Sequence, residues 1–282
     1  MSYSLQTRIR ELSEPENGVK VIALDRIQTL AREFDISPKE VELAALETRV
    51  LPRRYLRSLG TVGWEGQTKL LRSTVAVVGL GGLGGSVVEG LARMGVGRLI
   101  VVDNDAFVDH NLNRQILSAE TNLGLLKAKA AQHRVAEINA AVEVICHAEK
   151  ATRENLPRLL DGSEVVVDAL DRLPSRLVLE EVAQKMGIPM VHGAIAGYVG
   201  QVMTIFPGDG GLRALYGGEN IPQQGIETQL GCPAATPMMV AGWQVHEVLK
   251  ILLGQGQLLR HKMLFMDAES GMAEVLEIGG HG

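Results

Sequence analysis

Cysteine is scarce in this chain, with only Cys146 and Cys232 among its 282 residues. Two thiols so far apart cannot build a disulfide framework or a four-cysteine zinc site, so no zinc is expected. Long apolar runs are missing too. No uninterrupted stretch reaches the roughly 18 residues a bilayer span requires, and Met1 to Arg10 lacks the apolar core of a secretory signal. The chain is therefore expected to be cytoplasmic, with no membrane contact. Positive charge is in deficit: 28 Lys and Arg face 33 Asp and Glu, for a net charge of -5 and a pI near 5.8. Such a balance argues against nucleic acid as a partner. There is no internal repeat and no low-complexity segment. None of the seven histidines has a second at metal-ligand spacing, so His192 and the others read as packed or hydrogen-bonded.

What is present, 46% hydrophobic residues, is enough to bury the core of one large α/β domain, or of one domain with an appendage. The stretch from Val75 to Lys127 organises it. Val75-Ala76-Val77-Val78 reads as a buried strand, Gly79-Leu80-Gly81-Gly82-Leu83-Gly84-Gly85 as a tight turn, and Val87 to Met94 as an amphipathic helix. Glycines at 79, 81 and 84 remove the Cβ where backbone must turn, approach a phosphate and pack helix on strand. The helix N-terminus then offers free N–H groups to an anion. An adenine nucleotide fits such a turn. The next strand, Gly97 to Asp103, ends in a carboxylate nineteen residues after Gly84, which makes Asp103 the candidate ribose acceptor. The glycine fingerprint alone does not separate a dinucleotide from ATP. Asn111-Leu112-Asn113-Arg114-Gln115 and Gly124-Leu125-Leu126-Lys127 do, because they set fixed cations downstream of the second strand, where a triphosphate needs them more than a dinucleotide's two phosphates.

Further along, elements alternate as βαβ units should. A helix continues past Lys127 through Ile138, Val142 to Cys146 reads as a strand, Glu154 to Leu160 as a short helix, and Glu164 to Asp168 as the next strand. Asp168 and Asp171 fall at its carboxyl end, the edge at which open parallel sheets bind ligands. Two carboxylates three residues apart there suit Mg²⁺ bridging phosphate oxygens.

With these residues in view, the chain resembles the ThiF/MoeB/HesA adenylyltransferases, relatives of the ubiquitin-activating enzymes. The resemblance rests on Gly79-x-Gly81-Gly82-Leu83-Gly84, Asp103-x-Asp105, Asn111-x-x-Arg114-Gln115, Gly124-x-x-Lys127 and Asp168-x-x-Asp171, in that order, between about Arg54 and Ile278. It implies an α/β fold with a Rossmann-like, mainly parallel sheet and antiparallel strands at the C-terminal side. It also implies nucleotide contacts from Gly79, Gly81, Gly82, Gly84, Asp103, Asp105, Asn111 and Gln115, and catalytic roles for Arg114, Lys127, Asp171 and Arg57. In that family Asp171 would hold Mg²⁺ and Arg57 would reach the nucleotide of a partner subunit, so a homodimer is implied. Asp168 reads instead as a cap or structural acceptor. The implied activity is ATP-dependent activation of the C-terminal glycine carboxylate of a ubiquitin-like sulfur-carrier protein ending in diglycine.

Two positions depart from the family pattern. Arg172 stands where relatives usually carry asparagine, and it either adds charge for phosphate or competes for Asp171. Glu227 falls approximately where some relatives carry a cysteine, with Cys232 beyond it at the start of a helix, where a lowered thiol pKa competes with a small buried residue as its reading. Residues 1–50 read as a helical extension and 51–282 as the adenylation domain. Leu5, Ile9 and Leu12 share one helix face, Glu14-Pro15-Glu16-Asn17-Gly18 makes a turn, a second helix carries Leu24 to Phe34, and Ser37-Pro38-Lys39-Glu40 is a capping box that opens a third. Its acidic residues favour packing or dimerisation over DNA binding. Residues 207–232 form a long loop of functional type. Pro237 to Leu253 reads as an apolar helix, Lys262 to Ile278 as a hairpin, and residues 279–282 as a disordered tail. Three other readings share part of the evidence. A nicotinamide-dependent oxidoreductase leaves Arg114, Lys127 and Asp171 unexplained, a non-catalytic nucleotide-binding scaffold draws on Arg172 and the missing cysteines, and a tRNA-modifying dehydratase of the same family is poorly served by the acidic balance.

Overall fold

The computed structural model describes residues 4–217 and 230–278. Four consecutive β-branched or small apolar residues cannot alternate inside and outside, so the run after Thr74 is buried on both faces and becomes the central strand of a layered sheet. That strand, β4 (Thr74–Val78), pairs in parallel with β5 (Arg98–Val102) on one side and β7 (Val165–Asp168) on the other. β6 (Glu143–His147) continues in parallel beyond β5, and β8 (Met190–Ala196) beyond β7. From β8 outward the pairing is antiparallel, through β9 (Val199–Ile205), β10 (Lys262–Asp267) and β11 (Met272–Glu277). The full order is β11-β10-β9-β8-β7-β4-β5-β6. The mainly parallel sheet with an antiparallel C-terminal side is thus observed.

Both faces are covered. On one lie α4 (Leu59–Arg72), α5 (Gly82–Met94), α6 (Lys127–Ile138) and α10 (Ala235–Leu253), with Leu83, Val87, Leu91, Val135 and Val248 in the shared core. On the other lie α7 (Leu156–Leu159), α8 (Leu173–Met186) and α9 (Gly211–Tyr216), burying Leu156, Leu179 and Leu212. α9 corrects the expectation of one unbroken loop over residues 207–232. Glu180 explains it, since the buried carboxylate of α8 accepts the Leu212 N–H at 3.2 Å and anchors this short helix. Glu227 and residues 279–282 lie outside the described residues.

The N-terminal segment also differs from a purely helical extension. α1 (Leu5–Leu12) leads into a hairpin of β1 (Glu14–Glu16) and β2 (Val19–Ile22), turned at Asn17 and Gly18 with φ of 47 and 80. An Asn-Gly pair with both φ positive matches the twist of a two-residue hairpin. α2 (Leu24–Phe34) and α3 (Pro38–Glu47) follow, and β3 (Val50–Pro52) then pairs in parallel with β2. The capping box forms as read: Ser37 N donates to Glu40 Oε2 at 2.8 Å and Glu40 N to Ser37 Oγ at 3.2 Å. Ile27, Leu30, Val41 and Ala45 bury against one another, so both helices spend their apolar faces on packing.

Candidate active site

The strand order reverses at β4, with β5 and β6 laid down to one side and β7 and β8 to the other. Such a switch point opens a crevice at the carboxyl ends of the strands. A cavity of about 990 Å³ lies there. Gly79 makes its turn with φ of 90, and a Cβ at this position would sit 2.5 Å from the Ala169 carbonyl oxygen, so the turn is pressed against the end of β7. A Cβ on Gly84 would lie 1.8 Å from the Gly79 oxygen; this glycine lets the first turn of α5 pack on the strand and does not line the cavity. Gly81 and Gly82 do line it. The first intrahelical bond of α5 runs from Gly85 N to Gly81 O, so the N–H groups of residues 82–84 are the unpaired donors of that helix end.

Asp103 leaves β5 at the rim. Its Oδ2 accepts the Leu80 N–H at 2.7 Å and its Oδ1 the Asp105 N–H at 2.8 Å, which fixes the carboxylate across the glycine turn. Burial raises its pKa, against the pull of those two N–H groups and of Lys127. Lys127, at the start of α6, has a buried side chain whose Nζ contacts Asp105 Oδ2 at 3.0 Å. Arg114 enters from the loop after β5, with Nη1 donating to His110 O at 2.9 Å and Asn113 Oδ1 at 2.7 Å. Its Nε and Nη2 remain available. Gln115 is buried at the lining, and its Oε1 has no hydrogen-bond partner among the described residues. Asp171 is exposed in the cavity wall beside Arg172, and no ion pair joins the two among the described residues.

Three expected positions are not brought into the cavity. Gly84 serves packing, as above. Asn111 is buried beneath the loop, where its Oδ1 accepts the Val108 N–H at 3.1 Å and holds the turn that carries Arg114. Arg57 lies exposed between β3 and α4, away from this chain's own cavity.

Asp168 behaves as the structural acceptor expected of it. It is buried, its Oδ1 accepts the Leu170 N–H at 3.0 Å, and its Oδ2 lies 2.7 Å from His192 Nδ1. Burial lowers the pKa of His192, and the neighbouring carboxylate opposes this. Cys232 lines the cavity, but burial raises its thiol pKa, and α10 begins at Ala235 beyond it. The side chain is half-buried at the lining, with no helix start beside it among the described residues to lower its pKa.

Sequence reasoning missed Arg176 and underrated Gln244. Arg176, within the first turn of α8, is buried and donates to the carbonyls of Gly193 and Leu170, tying the loop of Asp171 to β8. Gln244 Nε2 donates to Asp168 O at 2.9 Å from inside α10. The available signal was a polar side chain within an apolar helix pattern.

A Rossmann-type sheet with a glycine turn, two fixed cations and a free carboxylate at its switch point defines a nucleotide-binding α/β protein equipped for phosphate chemistry. The chain belongs to the ThiF family, whose pattern it matches over residues 54–281. It is 38% identical over 220 residues to the SAMP-activating enzyme E1 of Haloferax volcanii, covering 76% of this chain and 81% of that one. It is 37% identical over 226 residues to the sulfur carrier protein adenylyltransferase of Thermus thermophilus, covering 76% and 83%. Against the adenylyltransferase and sulfurtransferase MOCS3 of Drosophila yakuba it is 32% identical over 232 residues, and the match spans only 51% of that longer protein. Among solved structures, E. coli MccB with AMPCPP and MccA superposes with a TM-score of 0.69 at 21% identity, over 80% of this chain and 71% of that one. MccB with ATP gives 0.67 at 18% identity, over 90% and 82%. These likenesses support the fold.

Proposed function

We propose that the protein is an adenylyltransferase that uses ATP and Mg²⁺ to activate the C-terminal glycine carboxylate of a ubiquitin-like sulfur-carrier protein ending in diglycine, releasing pyrophosphate. The observation that carries this reading is the convergence of Arg114, Lys127, Asp171 and the N–H groups of the glycine turn on one cavity at the switch point. The naming of two relatives for carrier activation and adenylyl transfer supports it.

In this reading the carrier carboxylate attacks the α-phosphorus in line. The new bond is carboxylate oxygen to phosphorus, and the bond to the bridging oxygen breaks, so pyrophosphate leaves with the electron pair. The nucleophile is already ionised, and no general base is required. Negative charge grows on phosphate oxygens, which Arg114 and Lys127 meet as prepositioned cations. Lys127 exchanges its contact with Asp105 for phosphate. Asp103 keeps a spare lone pair on each oxygen for the ribose hydroxyls. Asp171 is exposed, unpaired among the described residues and in the cavity wall, which suits Mg²⁺, an ion that takes one or two carboxylates and keeps waters. The metal would neutralise triphosphate charge. Arg57 completes the site of a second copy in a homodimer. Residues 51–282 act as the adenylation domain, and we assign the protein to the cytoplasm.

The test is carrier-dependent exchange of labelled pyrophosphate into ATP, using small diglycine-ending proteins of the source organism. Exchange with one carrier and its loss in Asp171→Ala is the expected result. ATP binding without exchange for any carrier would overturn the substrate assignment.

A further inference from the structure

The segment ahead of residue 54 lies outside the ThiF match, yet it enters the matched domain through a buried polar cluster. Its centre is Glu42 of α3, fully buried. Tyr55 Oη donates to Glu42 Oε2 at 2.9 Å, and Arg54 Nε lies 3.3 Å from Oε1. The Arg54 contact is one of charge, because Oε1 has no aligned hydrogen bond among the described residues. Arg54 Nη1 donates to Ile138 O at 3.2 Å, at the end of α6. Asn139 Nδ2 then donates to Tyr55 Oη at 3.0 Å and to Ala92 O of α5 at 3.1 Å. One carboxylate thus ties α3 to the carboxyl ends of the two helices whose amino ends carry the glycine turn and Lys127.

A buried ionic contact is a poor way to gain stability, since an apolar side chain of similar size does as well or better. Its use lies in fixing one arrangement of the groups around it. Those groups are Arg54 and Tyr55. The other charges at the surfaces packed on α3 pair among themselves in solvent: Arg49 with Glu65, Arg72 with Glu47, and Arg8 with Glu33. Lys39 of the same helix donates to Gly97 O at 3.1 Å. Arg54 and Tyr55 are three and two residues from Arg57, which is exposed and has no ion pair among the described residues.

We propose that Glu42 is a positioning residue for adenylation: it holds Arg54 and Tyr55 against α5 and α6 so that Arg57 is presented to the nucleotide bound by a second copy. This rests on the role assigned to Arg57 under Proposed function.

The test is calorimetric titration of magnesium ATP into the full chain at pH 6 and pH 8, for wild type, Glu42→Gln and Arg57→Ala. Burial pushes the Glu42 carboxyl up to about 7, with Arg54 and Tyr55 opposing, so wild type is charged there at pH 8 and largely protonated at pH 6. Glu42→Gln should weaken ATP binding about fivefold at pH 8, the loss expected of one charge-assisted contact, and change it little at pH 6. Arg57→Ala should weaken binding at both pH values and abolish the difference between wild type and Glu42→Gln when the two are combined. Wild-type affinity in Glu42→Gln at pH 8, with Arg57→Ala impaired, would overturn the positioning role. Wild-type affinity in Arg57→Ala would overturn both this inference and the Arg57 assignment, while pyrophosphate exchange would still report separately on adenylation. Should Glu42→Gln not fold, comparison of wild type with Arg57→Ala decides alone, since the part of the pH dependence carried by Glu42 must then disappear with Arg57.

Discussion

Asp171 and Gly84 show how differently two residues of one motif set can act. Asp171 has no hydrogen bond or ion pair among the described residues, so Asp171→Ala should cost about 100-fold or more in pyrophosphate exchange, as loss of a charge-stabilising group in an active site does. Its melting temperature should match wild type; a variant that exchanges at the full rate would remove Asp171 from the chemistry. Gly84 is the reverse case. Its missing Cβ would lie 1.8 Å from a backbone oxygen that cannot swing away. Gly84→Ala should therefore lose about 3 kcal/mol or more in urea unfolding, the upper end of what overpacking costs, because the clash is with backbone. Cys232→Ser should retain exchange activity, because desolvation raises that thiol's pKa and the proposed step uses no sulfur nucleophile. Residue types and spacing singled out the glycines, Asp103, Arg114, Lys127 and Asp171, all of which but Gly84 line the cavity. They were not enough to show that Asn111 looks inward to Val108, or that Arg176 spends its guanidinium on two carbonyls. Side-chain direction depends on neighbours brought in from elsewhere in the chain.

At the scale of the element, α3 joins a local signal to a distant consequence. Its capping box and Pro38 were legible because they act within four residues. The burial of Glu42 was not, since it depends on Arg54 and Tyr55 from one distant segment and Asn139 from another. That burial has a thermodynamic sign. A carboxyl whose folded pKa lies near 7, above its ordinary 4.5, binds a proton in the native state that the unfolded chain has already released. Its contribution is fully present below pH 4.5 and is lost as pH rises through 7, by about 1.4 kcal/mol per unit of difference and ~3 kcal/mol in all. Urea unfolding of wild type and Glu42→Gln at pH 5 and pH 8 should show the variant gaining on wild type at the higher pH. A constant difference would mean that Glu42 does not titrate in this range. The hairpin of β1 and β2 escaped sequence reading for a related reason: strands of three and four residues show too few alternations, and β3, which completes their sheet, lies about thirty positions away.

At the scale of the whole molecule, the proposal that Arg57 serves the site of a second copy makes a prediction no single-chain property can. Arg57→Ala and Asp171→Ala should each be inactive alone. Mixed and allowed to exchange subunits, half the dimers carry both variants, and each of these has one site with both residues intact. Recovery of about a quarter of wild-type exchange is expected for a two-fold symmetric pair. No recovery would place both residues in the same subunit's site or remove Arg57 from it. The sequence alone determined the sheet-forming runs, the glycine turn and the order of the phosphate-suited residues, because each is set by residue type and short-range spacing. Only the tertiary structure decided that β7 lies beside β4, that Asp168 turns to His192 and leaves Asp171 in the cavity wall, and that Glu42 reaches the ends of α5 and α6. Those outcomes depend on which distant groups can share one volume and satisfy one another's hydrogen bonds, and no spacing along the chain encodes that.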